Sequence, residues 1–333
     1  MPIEPARAFA GLLRDHGPLD FDVEEWFLAF KLAPVLKERF RCWMSGAGLI
    51  GAHGQAVEAF IREERHREVP AYKNHRDCKS SSQFPFLDKQ DLRAGGQKFV
   101  PEALLSTQLW VKSTSGTTGR PVPIYYSPEF HFESFFLTVR KIAALAAASY
   151  DGREVYCAAI TDNRECKPFA YPDPCRQVGH FLQTILDGTD SESTRRVLDS
   201  LADLRPFCVT VKPSILEVLV EYRRNRPDRN FHRPPVLVCS GANLTDALRQ
   251  NAEAILGVPV CNAYGLTECG IIASECEFHA GLHIWDPDVV VTIVDESGAC
   301  VPESVAGEIV VSSVRNAAFP LLRYRTGDLG TLT

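Results

Sequence analysis

The sequence predicts an α/β protein: βαβ units forming a largely parallel sheet, followed by a small antiparallel β-barrel or hairpin region. Three observations carry that expectation. From about residue 107, short β-branched runs alternate with helical patterns, which is the texture of parallel strands joined by crossover helices. After residue 285, "VVVTIVDESG" and "GEIVVSS" follow one another with turn residues and no helix between them, the pattern of antiparallel pairing. The chain is 333 residues long and 45% apolar, enough for two ordinary domains or one large α/β unit with a filled core.

Taken in order, residues 20–68 read as mainly helical and end in the amphipathic run "AVEAFIREERHRE". The polar stretch "YKNHRDCKSSSQ" reads as a surface loop. Strands are expected at 122–126, 154–161, 207–211 and 235–240, with a further short strand at "VPVCN". Helices are expected at 129–149, 192–204, 213–225 and 245–256. The last is the best marked, with Thr245 as N-cap and Gly257 beyond its end. "FHFESFF" (130–136) reads as a helix face packed in the core, and "CKPFAYPDPC" (166–175) as a loop. This divides the chain into a helical region (1–100), an α/β body (101–284) and a β-rich subdomain (285–333).

The totals exclude several classes. A net charge of −6 gives no general attraction to nucleic acid or to an anionic membrane. No stretch approaches the about 18 apolar residues of a membrane span. The N-terminus has acidic residues and prolines but no sustained apolar run, unlike a secretory signal. Eleven cysteines, odd in number and without the spacing of a small disulfide scaffold, read as reduced thiols of a cytoplasmic protein.

Three short stretches carry chemistry. In "STSGTTGRP" the hydroxyls of Ser113, Thr114, Ser115, Thr117 and Thr118 surround Gly116 and Gly119, so the backbone can approach an anion with many oxygens while neutral donors meet it. It is not a Walker A loop, because Arg120 and Pro121 stand where Lys and Ser/Thr belong. A flexible linker has the same composition. In "NAYGLTECG" (262–270), Tyr264 offers a flat face, Gly265 a tight backbone, Thr267 a hydroxyl for a phosphate oxygen and Glu268 a carboxylate for a divalent cation. Alone it is equally a structural turn. In "PLLRYRTGDLG" (320–330), Asp328 beside Gly327 suits two vicinal hydroxyls, though "TGD" also serves simply as a turn.

In this order and at these separations, the three motifs resemble the adenylate-forming superfamily of acyl- and aryl-CoA ligases, and within it the phenylacetate-CoA ligase branch. "VPAYKNH", "FPFLDKQDLR" and "VCSGANLTDALR" add to the likeness, which runs from roughly residue 60 to 333. The resemblance implies the fold of that superfamily's large N-terminal domain and binding of ATP with Mg2+. Residues 113–119 would then wrap the β- and γ-phosphates, and Tyr264 would stack on adenine. Thr267 would touch the α-phosphate, Glu268 would hold magnesium and Asp328 the ribose. Gly241 and Ala242 would pass under the adenine and the acyl group. Arg325 is open between a phosphate contact and a structural ion pair.

Departures from the family pattern accompany the likeness. The chain stops at Thr333, shortly after "RTGDLG", where relatives continue through a hinge into a small lysine-bearing cap; the sequence therefore reads as the large domain of a longer protein. "ECEFHAGLHIW" places Cys276, His279 and His283 at a C-x2-H-x3-H spacing that suits Zn2+, with buried thiol and surface histidines as the alternative.

The function expected is ATP-dependent activation of a small-molecule carboxylic acid, aryl or arylacetic by likeness, with CoA or an acyl-carrier protein as thiol acceptor. Neither nucleic acid nor membrane is expected as a partner. The rival readings are a nucleotide-binding module without turnover and a phosphotransferase with an unusual phosphate loop. The absent loop lysine weighs against the last of these.

Overall fold

The computed structural model describes residues 54–107, 109–113, 121–127, 129–131, 134, 142, 148, 155–162, 169–171, 180–186, 191–228, 231–284 and 288–333. The described chain forms two compact units. One takes the described residues of Phe132–Gly265 and Ala273–His283, the other those of Arg41–His131, Leu266–Ile272 and Ile284–Thr333.

In the second unit, helix α1 (Gln55–Arg62) and the capped helix α2 (Lys89–Gly95) precede strands β1 (Trp110–Ser113) and β2 (Pro123–Tyr126), which pair antiparallel. Asp88 caps α2 reciprocally: its carboxylate accepts from Gln90 and Asp91 N–H, while Asp91 accepts from Asp88 N–H.

The first unit holds the parallel sheet. Its strands are β3 (Val155–Thr161), β4 (Phe169–Tyr171), β5 (His180–Ile185), β6 (Cys208–Val211), β7 (Val236–Ser240) and β8 (Val260–Leu266). Beyond them, β9 (Gly270–Ser274) and β10 (His283–Ile284) extend the sheet, giving the order β10-β9-β8-β7-β6-β3-β5-β4. The pairs β5–β3, β3–β6, β6–β7 and β7–β8 are parallel, and β4 pairs antiparallel with β5 at the edge.

Crossovers between the parallel neighbours β6–β7 and β7–β8 are made by α4 (Pro213–Arg224) and α5 (Asp246–Leu256), while α3 (Ser191–Leu204) carries the chain from β5 past β3 to β6. Each helix buries one apolar stripe on the sheet. Val197, Leu198 and Leu201 of α3, Ile215, Leu216 and Leu219 of α4, and Ala252 and Leu256 of α5 pack with Val209, Leu237 and Val260. Four of the five β7 residues are buried, as expected of a central strand covered on both faces. Pro213 opens α4, where its missing N–H costs nothing. The Thr245 side chain accepts from Leu248 N–H at 3.2 Å to start α5, and Gly257 ends it with φ +68°.

The remaining strands belong to the second unit: β11 (Val289–Val294), β12 (Gly307–Ser313) and β13 (Leu321–Gly330) form an antiparallel sheet in that order. β13 also receives the segment before α2. Leu87 N–H donates to Arg323 carbonyl at 3.0 Å, and Arg325 N–H donates to Leu87 carbonyl at 2.7 Å. Arg323 reinforces the join: its guanidinium donates to Ser82 and Phe84 carbonyls and lies 3.7 Å from the Phe86 ring centroid.

The strand and helix expectations hold at β2, β3, β6, β7 and α3–α5. The surface-loop reading of residues 72–83 is corrected at its start: Pro70–His75 is a 3₁₀ turn whose Tyr72 is buried, donating to Pro320 carbonyl and accepting from Leu322 N–H. A polar string hides a core tyrosine because its neighbours, not its own sequence, supply the apolar surroundings. Residues 169–171 form β4 rather than loop, since the exposed edge of β5 offers them a ladder. The expected helix at 129–149 and the helical stretch 20–53 lie largely outside the described residues, as does most of 166–175. Among the described residues, no helix is long and apolar enough to cross a membrane.

Replacing Thr245 by Ala removes the α5 cap and is expected to lower stability by about 1 kcal/mol in urea denaturation, with an unchanged denaturant slope. Thiol labelling gives a second check. Burial pushes the Cys239 and Cys261 thiols up to about 12, and raises Cys208 and Cys269 as well. Among the described cysteines, alkylation at pH 8 followed by mass spectrometry is expected to mark the exposed Cys300 first and the half-buried Cys78 and Cys276 more slowly. The buried Cys157, Cys208, Cys239, Cys261 and Cys269 stay unmodified until the protein unfolds.

Candidate active site

Ser113 ends β1 and faces Pro123 of β2 in the ladder, so the two strands hold the ends of the segment between them close together. Thr114, Ser115, Gly116, Thr117, Thr118 and Gly119, the expected phosphate loop, lie outside the described residues.

The strand leaving that segment ends at Tyr126, whose hydroxyl donates to the backbone carbonyl of Thr267. Thr267, Glu268 and Cys269 form the turn between β8 and β9, closed by Cys269 N–H on Leu266 carbonyl at 3.2 Å. The turn leaves through Gly270 at φ +72°, where a Cβ would lie 3.3 Å from Phe130 Cζ; only glycine fits both the angle and the space. Arg315 Nη1 donates to Ile271 carbonyl one residue on.

Glu268 is 3% exposed. Its Oε1 accepts the hydroxyl of Tyr324, on β13, at 2.8 Å. Both tyrosines are buried, and desolvation raises their hydroxyl pKa values above the ordinary range, with Glu268 and Cys269 adding to the effect. Each therefore remains a neutral donor across the usable pH range. Lys112 lies 5.0 Å from the Tyr126 ring centroid.

Beyond Tyr324, β13 turns through the expected ribose motif. Thr326 Oγ1 donates to Ile309 carbonyl at 2.9 Å and accepts from Asp328 N–H at 3.0 Å. Gly327, at φ +80°, donates its N–H to Glu308 Oε1. The Asp328 residue is exposed. Arg325 makes an ion pair: its Nε donates to Glu308 Oε2 at 2.7 Å, and its guanidinium also lies 5.2 Å from the Phe86 centroid.

In the sheet unit, Gly241 and Ala242 are exposed at the carboxyl end of β7, with Gly241 at φ +85°. That is the end of a parallel strand where α/β proteins bind ligands. Tyr264 and Gly265 are partly buried in β8. The zinc expectation is corrected. Among the described residues, Cys276, His279 and His283 belong to no cluster able to hold a metal. His279 Nδ1 is instead 3.0 Å from Glu275 Oε2, and His283 is exposed on β10.

Glu275 was not singled out by the sequence, yet it is the centre of a buried polar cluster. Its Oε1 is 2.9 Å from Arg249 Nη1 of α5, with both side chains at least nine-tenths buried. Its Oε2 accepts Asn262 N–H at 2.8 Å, and its own N–H donates to Asn262 carbonyl at 2.9 Å. The cluster ties helix α5 to the first half of β8, two residues before Tyr264. No local pattern marks it, because its partners come from separate elements.

The AMP-binding enzyme family model matches residues 182–318, a span containing Gly241, Ala242, Tyr264, Gly265, Thr267 and Glu268. A phenylacetate-coenzyme A ligase of Thermus thermophilus is 30% identical over 272 residues, covering 78% of this chain and 58% of that protein. One of Pseudomonas putida is 27% identical over 286 residues, covering 82% and 62%. The likeness to AMP-binding enzymes is thus carried by residues 182–318.

The AMP-binding fold is matched in a solved 2-hydroxyisobutyryl-CoA ligase, described as an open conformation in complex with 2-HIB-AMP and CoA. The TM-score is 0.62 at 17% identity, covering 83% of this chain and 67% of that one. The chain spans 58% to 63% of the lengths of the curated relatives it matches.

Removing Arg249 strands the buried Glu275 carboxylate. Arg249→Ala is expected to destabilise the protein by about 3–5 kcal/mol in urea denaturation, and the double variant Arg249→Met with Glu275→Gln by clearly less. Equal losses in the two would show that the charges do not act as a pair.

Proposed function

We propose that this chain is the nucleotide- and acid-binding portion of an ATP-dependent acid–thiol ligase. The supporting observation is the Thr267–Glu268 turn: the Tyr126 hydroxyl ties its Thr267 carbonyl to the strand leaving the Ser/Thr/Gly segment, and the Tyr324 hydroxyl ties its buried Glu268 carboxylate to the strand entering Asp328. These are the three motifs that ATP activation requires together. The curated relatives, each called a phenylacetate-coenzyme A ligase, favour an arylacetic acid as substrate and CoA as acceptor.

In this reading a carboxylate oxygen of the acid attacks the α-phosphorus of ATP, forming acyl-AMP as the bond to pyrophosphate breaks. The thiol of the acceptor then attacks the acyl carbon and AMP leaves. The acid is already ionised at neutral pH, so the first step needs positioning and charge stabilisation rather than a general base. Ser113 through Gly119 meet the β- and γ-phosphates, and Thr267 the α-phosphate. Tyr264 lies against adenine, Gly241 and Ala242 pass beneath the adenine and acyl groups, and Asp328 accepts the ribose hydroxyls.

Glu268 fits a hard cation. Its Oε1 takes one neutral hydroxyl, and the side chain is a buried carboxylate, the hard oxygen donor that such ions take. Magnesium bound there supplies charge neutralisation of the triphosphate.

Calorimetric titration of the chain with ATP and Mg2+ tests this reading. Asp328→Ala and Glu268→Ala are each expected to weaken ATP affinity about tenfold or more, and a non-hydrolysable phenylacetyl-AMP mimic is expected to bind more tightly than AMP. Absence of ATP binding, or binding indifferent to both substitutions, would overturn it.

A further inference from the structure

Resting on that reading, the geometry assigns a role to a residue that touches neither nucleotide nor acid. We propose that Tyr324 is a positioning residue for the cation-binding carboxylate. By donating to Oε1 of Glu268 it holds one oxygen and leaves Oε2 for the magnesium ion that accompanies ATP, while Tyr126 fixes the same turn through the Thr267 carbonyl.

Four observations on the second unit carry this. First, a glutamate has three side-chain torsions, and its carboxylate rotates freely unless one oxygen is held. The 2.8 Å bond from a side chain that is itself fully buried removes that freedom. Second, the donor is fixed. Tyr324 lies within β13, between Arg323, which is bonded to Ser82 and Phe84, and Arg325, which is bonded to Leu87 and Glu308. Third, the acceptor's backbone is held as well, because the Tyr126 hydroxyl meets Thr267 and Arg315 meets Ile271 on either side of Glu268. Fourth, the tyrosine hydroxyl brings no charge of its own. A lysine or arginine at 324 would neutralise Glu268 and compete with a cation; a neutral donor orients the carboxylate and preserves its charge.

The arrangement also joins the two halves of the nucleotide's task. Tyr324 stands four residues before Asp328 on one strand, and a shift of that strand would move the ribose carboxylate and the cation carboxylate together.

The test is the magnesium dependence of ATP binding, measured by calorimetry on the chain at a series of Mg2+ concentrations, with thermal unfolding recorded for each variant. Tyr324→Phe is expected to raise the Mg2+ concentration for half-maximal ATP affinity about tenfold, while ATP affinity without Mg2+ stays unchanged. Tyr126→Phe is expected to shift it in the same direction. A purely structural tyrosine would instead weaken binding equally with and without Mg2+, and that outcome, or an unshifted Mg2+ dependence, overturns the proposal. Should Tyr324→Phe not fold, Glu268→Asp keeps the charge but withdraws it from the hydroxyl, and an unshifted dependence there overturns the proposal too. Failure of the functional reading is separate: it appears as wild-type ATP binding that ignores both Mg2+ and Glu268→Ala.

Discussion

Two hydroxyl hydrogen bonds onto one turn organise the candidate site. Tyr126 and Tyr324 lie 141 and 56 residues from their acceptors in sequence, yet both end on the Thr267–Glu268 peptide unit and its side chain. A buried carboxylate and a partly buried carbonyl carry a desolvation cost that close donors offset. Tyrosine suits the place because its ring packs as an apolar body while the hydroxyl reaches a polar partner. Packing and polarity are thus satisfied by the same residues, and the turn has few other arrangements open to it.

The same strand that presents Tyr324 is held at several points of its unit. Leu87 pairs with its backbone, Tyr72 bridges Pro320 and Leu322, and Ser312 accepts Arg323 N–H at 2.9 Å. Glu308 serves Arg325 and Gly327 together, so one carboxylate both fixes a cation and closes the tight turn before Asp328. Arg325 takes part in this scaffold: its guanidinium, engaged by Glu308 and close to the Phe86 ring, helps hold the motif's shape.

In the sheet unit the equivalent anchor is ionic. Arg249 and Glu275 are removed from water, and the carboxylate spends its second oxygen on Asn262 and His279. Such a pair adds little net stability over an apolar substitute, but losing one member is costly, so it locks α5 to the first half of β8. The histidine that its spacing offered as a metal ligand is used in this network. Spacing along a chain identifies residues that can converge, whereas convergence itself needs the backbone to bring them to one point.

Much of this protein was legible in one dimension, and for a physical reason. Strand and helix periodicity, the Thr245 cap, the Gly257 stop and the buried β7 run are local consequences of local composition, so the α/β order could be read directly. The residues proposed to bind nucleotide were also visible, because Tyr264, Thr267, Glu268 and Asp328 sit in short strings whose chemistry and order are shared with a known family. What no string revealed was which buried groups meet. That Tyr72 is core, that Arg325 belongs to Glu308, that Glu275 belongs to Arg249, and that two tyrosines hold the Glu268 turn were all decided by tertiary structure. Burial and hydrogen-bond partnership depend on distances between segments far apart in the chain, and only the folded backbone sets those distances.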